Sequence, residues 1–595
     1  MSDKNLDVQP GGGFLVEPVG SAKIGTPELF TDEERMFGET SKDFVDKDVL
    51  PKLEEIESKN FDVTVGLMKQ AGELGMLSID VPEAYEGLGY SKAASMHVAE
   101  CIAHAGSLSV AIMAHVGIGS LPIVFFGSED QKKTYLPSLA SGEKLGAYAL
   151  TETGSGSDAL AAKSKAVLTD DGKSYILNGT KQFITNAGFA DIFTVFAKVD
   201  GDKFSAFLVE KGTPGFSIGP EEKKMGIKGS STCALIFEDC KIPAENLLGE
   251  IGKGHKIAFN ILNVGRFKLG ATALGYAKYC LNESVKYANE RVQFKVPISN
   301  FGMIKRKIAD MAAYIYSTES MVYRVAGLMD EKMADLDKSA ADYALQQMMA
   351  IEEFAIEDSI IKAYGTECLD FCADEGLQIL GGYGFTQEYP LERAYRDSRI
   401  NRLYEGTNEI NRLVITTTLL KRAQKGQLAW MDAAKKIEKE AESGELDIKA
   451  EGPLAWDIEA TEKAKKALVF TSNAAIMKYM KELMANQEII EMVAEMVMES
   501  FGMDSSVSRT LQLIEEVGEE KAKYAIATCN VVCQLAADKI LTIATQLLSS
   551  CFEGDEYKKL AKGLHNFRLS ERVNLIEKRR IVADRIIDRE AYELV

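Results

Sequence analysis

The stretch Arg402-Leu403-Tyr404-Glu405-Gly406-Thr407-Asn408-Glu409-Ile410-Asn411-Arg412 carries a lone carboxylate at a break in a helical pattern. Arg393, Arg396, Arg399 and Arg402 precede it at three-residue spacing, and Thr407 is placed to cap a helix running through Ile410, Leu413 and Leu420. Glu405 therefore stands just ahead of a helix start, where free N–H groups favour anions and polar ligand atoms. The plain reading of such a corner is a solvated acid between two helices. Three further stretches bear on the choice. Ala149-Leu150-Thr151-Glu152-Thr153-Gly154-Ser155-Gly156-Ser157-Asp158 mixes hydroxyls, small residues and open backbone, which can bring donors close to a polar ring or a phosphate. Asn178-Gly179-Thr180-Lys181-Gln182-Phe183-Ile184-Thr185-Asn186 reads as a turn leading into a strand, with an aromatic able to stack on a ring and a threonine able to donate to it. Gln378-Ile379-Leu380-Gly381-Gly382-Tyr383-Gly384-Phe385 is a glycine-rich turn after a helix, open to close approach by a ligand. Taken singly these are a polar turn, a core strand and a helix C-cap. Their joint presence in this order argues for a site.

The elements that would hold these groups divide the chain into five regions. Residues 1–30 are glycine-rich and read as a loosely held arm. Residues 31–145 show apolar spacing of three and four and form a helical domain, with Leu108 to Phe126 as buried helix. Residues 146–254 carry short β-type runs separated by Asp171-Gly172, Asn178-Gly179 and Asp200-Gly201, the pattern of a compact antiparallel β domain. Residues 255–425 return to long helices that suit a bundle, including Met303 to Met329 and Asp337 to Leu369. Residues 426–595, after a junction at Gly452-Pro453, form a C-terminal helical extension rich in methionine. No Rossmann alternation of strand and helix appears; Thr153–Asp158 lacks the third glycine of a dinucleotide fingerprint, Ala159 standing in its place. The fold class is mainly α with a central β domain.

Bulk properties exclude several functions. A net charge of −20 over 595 residues disfavours non-specific binding of nucleic acid or an anionic membrane, so any phosphorylated ligand needs local positive charge. Met1 to Glu17 has no basic and apolar leader, and Tyr524 to Leu548 is interrupted by Asn530, Gln534, Asp538 and Lys539. Nine scattered cysteines and five histidines show no metal-ligand spacing, so no metal site is expected, and reduced thiols point to a cytoplasmic protein.

With these blocks in place, the sequence resembles the acyl-CoA dehydrogenase family over about residues 30–420. The resemblance rests on Gly72-Glu73-Leu74-Gly75-Met76 to Gly89, Tyr148 to Asp158, Asn178 to Asn186, Lys224-Met225-Gly226-Ile227-Lys228, Pro243 to Gly249, Arg291-Val292-Gln293-Phe294, Gln378 to Phe385 and Tyr404 to Arg412. The extension after residue 430 and Asn260 to Phe267 look like the long- and very-long-chain branch. The resemblance implies an N-terminal helical domain, a β domain and a helical bundle with FAD bound between the last two. It also implies α,β-desaturation of an acyl-CoA to the trans-2-enoyl-CoA, in which Glu405 takes the α-proton and the β-hydrogen leaves as hydride to flavin N5. Tyr148, Leu150, Thr151, Gly156 and Ser157 match the flavin loop, Ser157 also touching the CoA arm. Phe183, Ile184 and Thr185 match the block beside the flavin ring, where many members have Trp in place of Phe183. Arg291, Gln293, Phe294, Gln378, Gly381 and Gly382 match segments reaching the FAD of a neighbouring subunit, which implies at least a homodimer; Lys295 stands where a glycine is usual. Thr407 and Glu409 match flavin contacts after the base. Asn263, Arg266, Tyr404 and Gly406 match substrate-side positions. A minority of the family keeps its base just before the residue matched by Arg266; here that residue is Gly265, which leaves Glu405 as the candidate.

The resemblance further implies an electron-transfer flavoprotein as acceptor. Val110 and Ala114 stand where medium-chain members close the acyl pocket with polar side chains, which favours long acyl chains unless Met113 or Leu121 closes it instead. The extension reads as a helical domain covering the bundle in preference to a membrane-binding one. The alternatives are an acyl-CoA oxidase and a scaffold or assembly protein built on the same fold.

Overall fold

The computed structural model describes residues 6–338, 340 and 342–595. The N-terminal domain comprises α1 (Asp32–Phe44), α2 (Leu53–Glu57), α3 (Phe61–Glu73), α4 (Lys92–Cys101), α5 (Ser107–Met113), α6 (Leu121–Phe126) and α7 (Glu129–Ser141). Reciprocal capping boxes start α1 (Thr31 with Glu34) and α7 (Ser128 with Gln131). Between α5 and α6 the backbone widens into a π-helical turn, Ala114–Ser120.

The β domain holds β1 (Gly146–Ala149), β2 (Lys165–Leu168), β3 (Ser174–Thr185), β4 (Ile192–Val199), β5 (Lys203–Glu210), β6 (Phe216–Ile218), β7 (Thr232–Pro243) and β8 (Leu247–Leu248). The order across the sheet is β6-β7-β3-β2-β4-β5-β8, with β1 against β4. Two pairings are parallel, β1 with β4 and β2 with β4, so the sheet is mixed where alternation and turn signals suggested an antiparallel one. Asn178-Gly179 is not a turn. It lies within β3, where the register against β7 slips between Leu177 and Gly179, and the glycine fits because a Cβ there would press on Ser164. A second slip falls between Lys181 and Ile184.

The bundle contains α8 (Gly254–Glu290), a hairpin of β9 (Val292–Gln293) and β10 (Val296–Pro297), α9 (Gly302–Ala334), α10 (Tyr343–Glu352), α11 (Ala355–Leu380), α12 (Pro390–Ser398) and α13 (Asn408–Gln424). The run expected from Asp337 to Leu369 is broken at Glu353-Phe354; its positions 339 and 341 lie outside the described residues. The extension adds α14 (Trp430–Ser443), α15 (Ala455–Tyr479), α16 (Gln487–Val517), α17 (Glu519–Cys551), α18 (Gly554–His565) and α19 (Leu575–Arg589). One apolar core runs through bundle and extension together. Buried charges stitch the seam: Arg324 to Asp504 at 2.7 Å and Arg509 to Glu319 at 2.6 Å. Ser107–Phe126 and Glu519–Cys551 are long and apolar enough to cross a membrane, but most of each is buried inside the protein.

Residues 6–30 are not a loose arm. Phe14 and Leu15 are buried, and the Phe14 ring sits 4.5 Å from that of Phe501 on α16. The arm's main chain is tied down at several points: Gly11 N–H donates to Glu353, Gly12 N–H to Glu357 at 2.6 Å, Val19 N–H to Glu462 and Ile24 N–H to Gln512. The glycines that suggest looseness serve contact. Gly12 has φ of 78°, and a Cβ on Gly11 would collide with the Glu353 carbonyl. Phe14→Ala is expected to cost about 3–5 kcal/mol, read as a lower thermal midpoint; an unchanged midpoint would show that the arm is dispensable to the fold.

Candidate active site

Glu405 sits in the left-handed region, with φ of 56°, and is followed by Gly406 with φ of 77°. For a residue with a Cβ this conformation costs roughly 1–2 kcal/mol, and such strain persists only where surroundings impose it. Here the surroundings are side chains on three helices. Arg266 Nε of α8 donates to the Glu405 carbonyl at 3.1 Å, Lys362 Nζ of α11 to the Gly406 carbonyl at 2.7 Å, and Asn411 Nδ2 of α13 to the carbonyls of Gly406 and Thr407 at 2.9 and 3.0 Å. Thr407 caps α13, its side chain accepting from the Ile410 N–H at 3.2 Å.

The Glu405 carboxylate projects towards α8. A Cβ on Gly265 would lie 2.6 Å from Glu405 Oε2, so the acid occupies space that any other residue at 265 would fill. Oε2 is sealed from water and has no hydrogen-bond partner. Burial pushes the carboxyl up to about 7, against the pull of Arg266 and then Lys362. Asp358, one helical turn before Lys362, is buried with neither oxygen partnered, and burial together with Glu357 holds its carboxyl well above the usual range. Asn263, buried beside Arg266, accepts from its Nη1 at 2.9 Å. Tyr404 is anchored through its hydroxyl to Asn401, and Glu409 is exposed on the first turn of α13.

On the β domain, the second slip in β3 turns Phe183 outward. Its φ is 58° and its side chain is 62% exposed, where a regular strand would bury it. Ile184 points into the sheet core, so only its main chain is available to a ligand, while Thr185 is half-buried. Gln182 N–H donates to the Thr151 carbonyl at 2.9 Å, bringing the 150–158 loop beside Phe183. The loop is pinned from beneath by Lys181, whose Nζ meets Glu152 at 2.7 Å and the Leu150 carbonyl at 3.2 Å. Tyr148 and Leu150 are buried, Thr151 is half-buried, and Gly156 and Ser157 are exposed with open space around the glycine.

Arg291, Gln293, Gly381 and Gly382 line a separate cleft of about 530 Å³ with Tyr287 and Tyr383, and none of Tyr148 to Thr185, nor Glu405, lines it. The Arg291 guanidinium lies over the Tyr383 ring at 5.6 Å. Gln378 is exposed near the end of α11. The β9–β10 turn keeps its glycine-type geometry without a glycine: Phe294 and Lys295 have φ of 50° and 71°, and the Phe294 ring is 88% exposed.

Lys362, Lys181 with Glu152, and Asn411 were absent from the sequence-derived set. Lys362 had a signal, a lone cation inside the apolar run Ile360-Ile361-Lys362-Ala363-Tyr364; Lys181 and Asn411 had none.

A half-buried acid with a proton affinity near neutrality, an outward aromatic on a β bulge and an open glycine loop define an oxidoreductase site built for a flat redox ring beside a carboxylate. Comparison with known proteins gives the same class. Profiles of the acyl-CoA dehydrogenase N-terminal, middle and C-terminal domains match residues 31–143, 147–240 and 252–420, and a further acyl-CoA dehydrogenase C-terminal profile matches residues 463–566. A probable acyl-CoA dehydrogenase of Bacillus subtilis is 49% identical over 592 residues, covering 100% of both chains. The human very long-chain specific acyl-CoA dehydrogenase is 34% identical over 523 residues, 83% of this chain and 77% of the relative. A crystal structure of an acyl-CoA dehydrogenase complexed with FAD from Bacillus anthracis superposes with a TM-score of 0.96 at 48% identity, over 98% of this chain and 100% of that one. A chain in the structure of the electron transferring flavoprotein of Acidaminococcus fermentans matches 66% of this chain and 98% of its own length, with a TM-score of 0.59 and 37% identity. The chain belongs to the acyl-CoA dehydrogenase family. It is an FAD-dependent oxidoreductase, and the exposed Phe183 ring, the open backbone at Gly154 and Gly156 and the unpartnered Glu405 oxygen fit that cofactor and an adjacent substrate.

Gly265→Ala is expected to leave flavin content and thermal midpoint unchanged, alanine being about 1 kcal/mol the better helix former. It should slow anaerobic flavin reduction by acyl-CoA about a hundredfold, the usual effect of moving a reacting group by an ångström. A wild-type rate would mean that the carboxylate is held elsewhere during turnover.

Proposed function

We propose that this protein desaturates long-chain acyl-CoA to trans-2-enoyl-CoA in fatty acid β-oxidation, with Glu405 as the base. The observation that carries the reading is the Glu405 carboxylate, whose Oε2 is dry and unpartnered against a glycine that leaves no rival acid. The α-proton of a thioester is weakly acidic, so its removal needs a base near neutrality and a donor for the charge that grows on the thioester oxygen. Glu405 meets the first need by burial. Its own N–H meets the second, since it donates to no acceptor among the described residues. The proton then resides on Oε2. Arg266 and Lys362 keep the emptied carboxylate available by favouring its charged form. Thr151, Phe183, Thr185 and the start of α13 would hold FAD, which when bound would supply the acceptor for the β-hydride.

Long chains are favoured by a stripe on an otherwise buried helix. Val110, Met113, Ala114 and Ile118 stay partly uncovered along α5 and the π turn that packs on α8 and β1, while Leu121 is fully buried. The stripe is apolar, and its small Ala114 leaves depth. The separate cleft at Arg291, Gln293, Gly381 and Gly382 supports a homodimer in which each protomer reaches its partner's cofactor. The similarity to a chain in the A. fermentans electron transferring flavoprotein structure supports such a protein as acceptor.

Anaerobic bleaching of the flavin by a graded panel of acyl-CoAs tests the reaction; it should be fastest with palmitoyl-CoA and slow with butyryl-CoA, and absence of bleaching across the panel would reject the activity. Glu405→Gln should keep its flavin yet bleach at least about a thousandfold more slowly. With the base near 7, the wild-type rate should climb between about pH 6 and pH 8; a rate flat down to pH 5 would place the base on another group. Ala114→Phe should slow reduction by palmitoyl-CoA about tenfold or more and spare hexanoyl-CoA; equal slowing of both would remove the stripe from the acyl site.

A further inference from the structure

We propose that Lys362 is a positioning residue for the base: its ammonium clamps the turn that carries Glu405 and sets a second cation beside the carboxylate. This rests on the reading of Glu405 as base and goes beyond it to a residue on another helix, whose ammonium is engaged by the Gly406 carbonyl and Asn408.

Lys362 lies in the middle of α11 and is fully buried. Two of its three donors go to one turn: Nζ reaches the Gly406 carbonyl at 2.7 Å and Asn408 Oδ1 at 2.8 Å. Those residues flank Thr407, the cap of α13, and follow Glu405 directly. Asn408 is fixed in turn, its Nδ2 donating to Thr366 at 3.2 Å and to Glu367 at 2.9 Å on α11. Lys362 therefore joins the helix that supports the site to both sides of the backbone break that aims the base.

A buried carbonyl needs a donor, but not a charged one, and Asn411 Nδ2 already donates to the Gly406 oxygen at 2.9 Å. Burial disfavours the ammonium, drawing its proton affinity down to about 7. A neutral donor would have served the cap without that penalty. The charge acts on what surrounds it: Glu405 of the turn, Arg266 of α8, Glu367 on α11 itself and Glu409 of α13; Asp358, one turn away, has its carboxyl raised by burial and by Glu357. Among these, Glu405 is the strongest influence on Lys362 after burial, and Lys362 in return favours the charged form of Glu405. Arg266 fixes the Glu405 carbonyl from α8 while Lys362 fixes the next carbonyl from α11, so the two left-handed residues are held from opposite helices.

The test uses the holoenzyme and its anaerobic reduction by palmitoyl-CoA, with Lys362→Met, Lys362→Gln and Glu405→Gln side by side. Lys362→Met should keep wild-type flavin content and half-saturate within about threefold of the wild-type concentration, yet reduce about thirtyfold more slowly, a loss in the range of a misplaced reacting group. Its rate should depend more strongly on deuterium at the substrate α-carbon, and its pH midpoint should move upward, because removing a cation makes the Glu405 proton harder to lose. Lys362→Gln keeps a donor for the Gly406 carbonyl and should recover part of the rate but not the pH midpoint; it also stands in should Lys362→Met fail to fold. A wild-type rate in Lys362→Met overturns the proposal. So does a slowed rate with unchanged isotope effect and pH profile, and so does loss of flavin in both variants. Normal reduction by Glu405→Gln would fail the base reading itself, whereas an inert Glu405→Gln beside a normal Lys362→Met fails only the inference about the lysine.

Discussion

Three consecutive carbonyls, those of Glu405, Gly406 and Thr407, are bound by Arg266, Lys362 and Asn411, which arrive from three different helices. Much of the architecture is the means of bringing those three together. Arg266 needs α8 to lie close enough for Gly265 to touch the carboxylate. That helix is held to the N-terminal domain by Lys268, two residues on, whose Nζ pairs with buried Asp80 at 2.7 Å. Burial alone would raise the Asp80 carboxyl, but Lys268 and Lys92, the latter also at 2.7 Å, hold it well below the usual range. The placement of one turn in the bundle thus depends on an ion pair that reaches into another domain.

The electrostatics of the site follow from opposing influences, of which burial is the larger. Desolvation makes a carboxylate keep its proton; nearby cations make it release it. At Glu405 the first prevails by enough to leave the acid near neutrality. Moving the cations closer would give an ordinary, weakly basic carboxylate, and removing them would give an acid that cannot be emptied. Gly265 is part of this balance, because the absence of a side chain lets the acid sink against α8, out of water, without losing sight of Arg266.

The sequence made the domain order, the helix start at Thr407 and the open backbone of the 150–158 loop legible, because each is a local signal: a period, a cap, a cluster of small residues. It misjudged features decided at a distance. Asn178-Gly179 has the composition of a hairpin turn but is absorbed into a long strand because β7 pairs on both sides of it. Phe183 reads as an aromatic able to stack on a ring, with a strand-core position as the plain alternative; the register slip that turns it outward is not itself visible in any local pattern. The pairing of β1 and β2 with β4 is parallel, which turn chemistry cannot report. Lys362 was visible as a charge in an apolar run, but its partner lies 44 residues on, across a tertiary contact. The arm escapes a local reading for the same reason, since its glycines answer to Glu353, in the break before α11, and to Glu357 on α11.

That arm has a consequence for how the protein is made. Phe14 packs on Phe501, and the Val19 and Ile24 amides bind side chains on α15 and α16. A ribosome releases the chain from its N-terminus, and domains generally fold in that order. Here residues 6–30 have docking sites on α11, α15 and α16, so Phe14, Leu15 and Val19 stay uncovered until those later helices have been made. Its docking closes the long loop between Ile24 and Gln512, 488 positions apart. The arm therefore joins the fold only once α16 exists, and it closes over α11, the helix that carries buried Lys362.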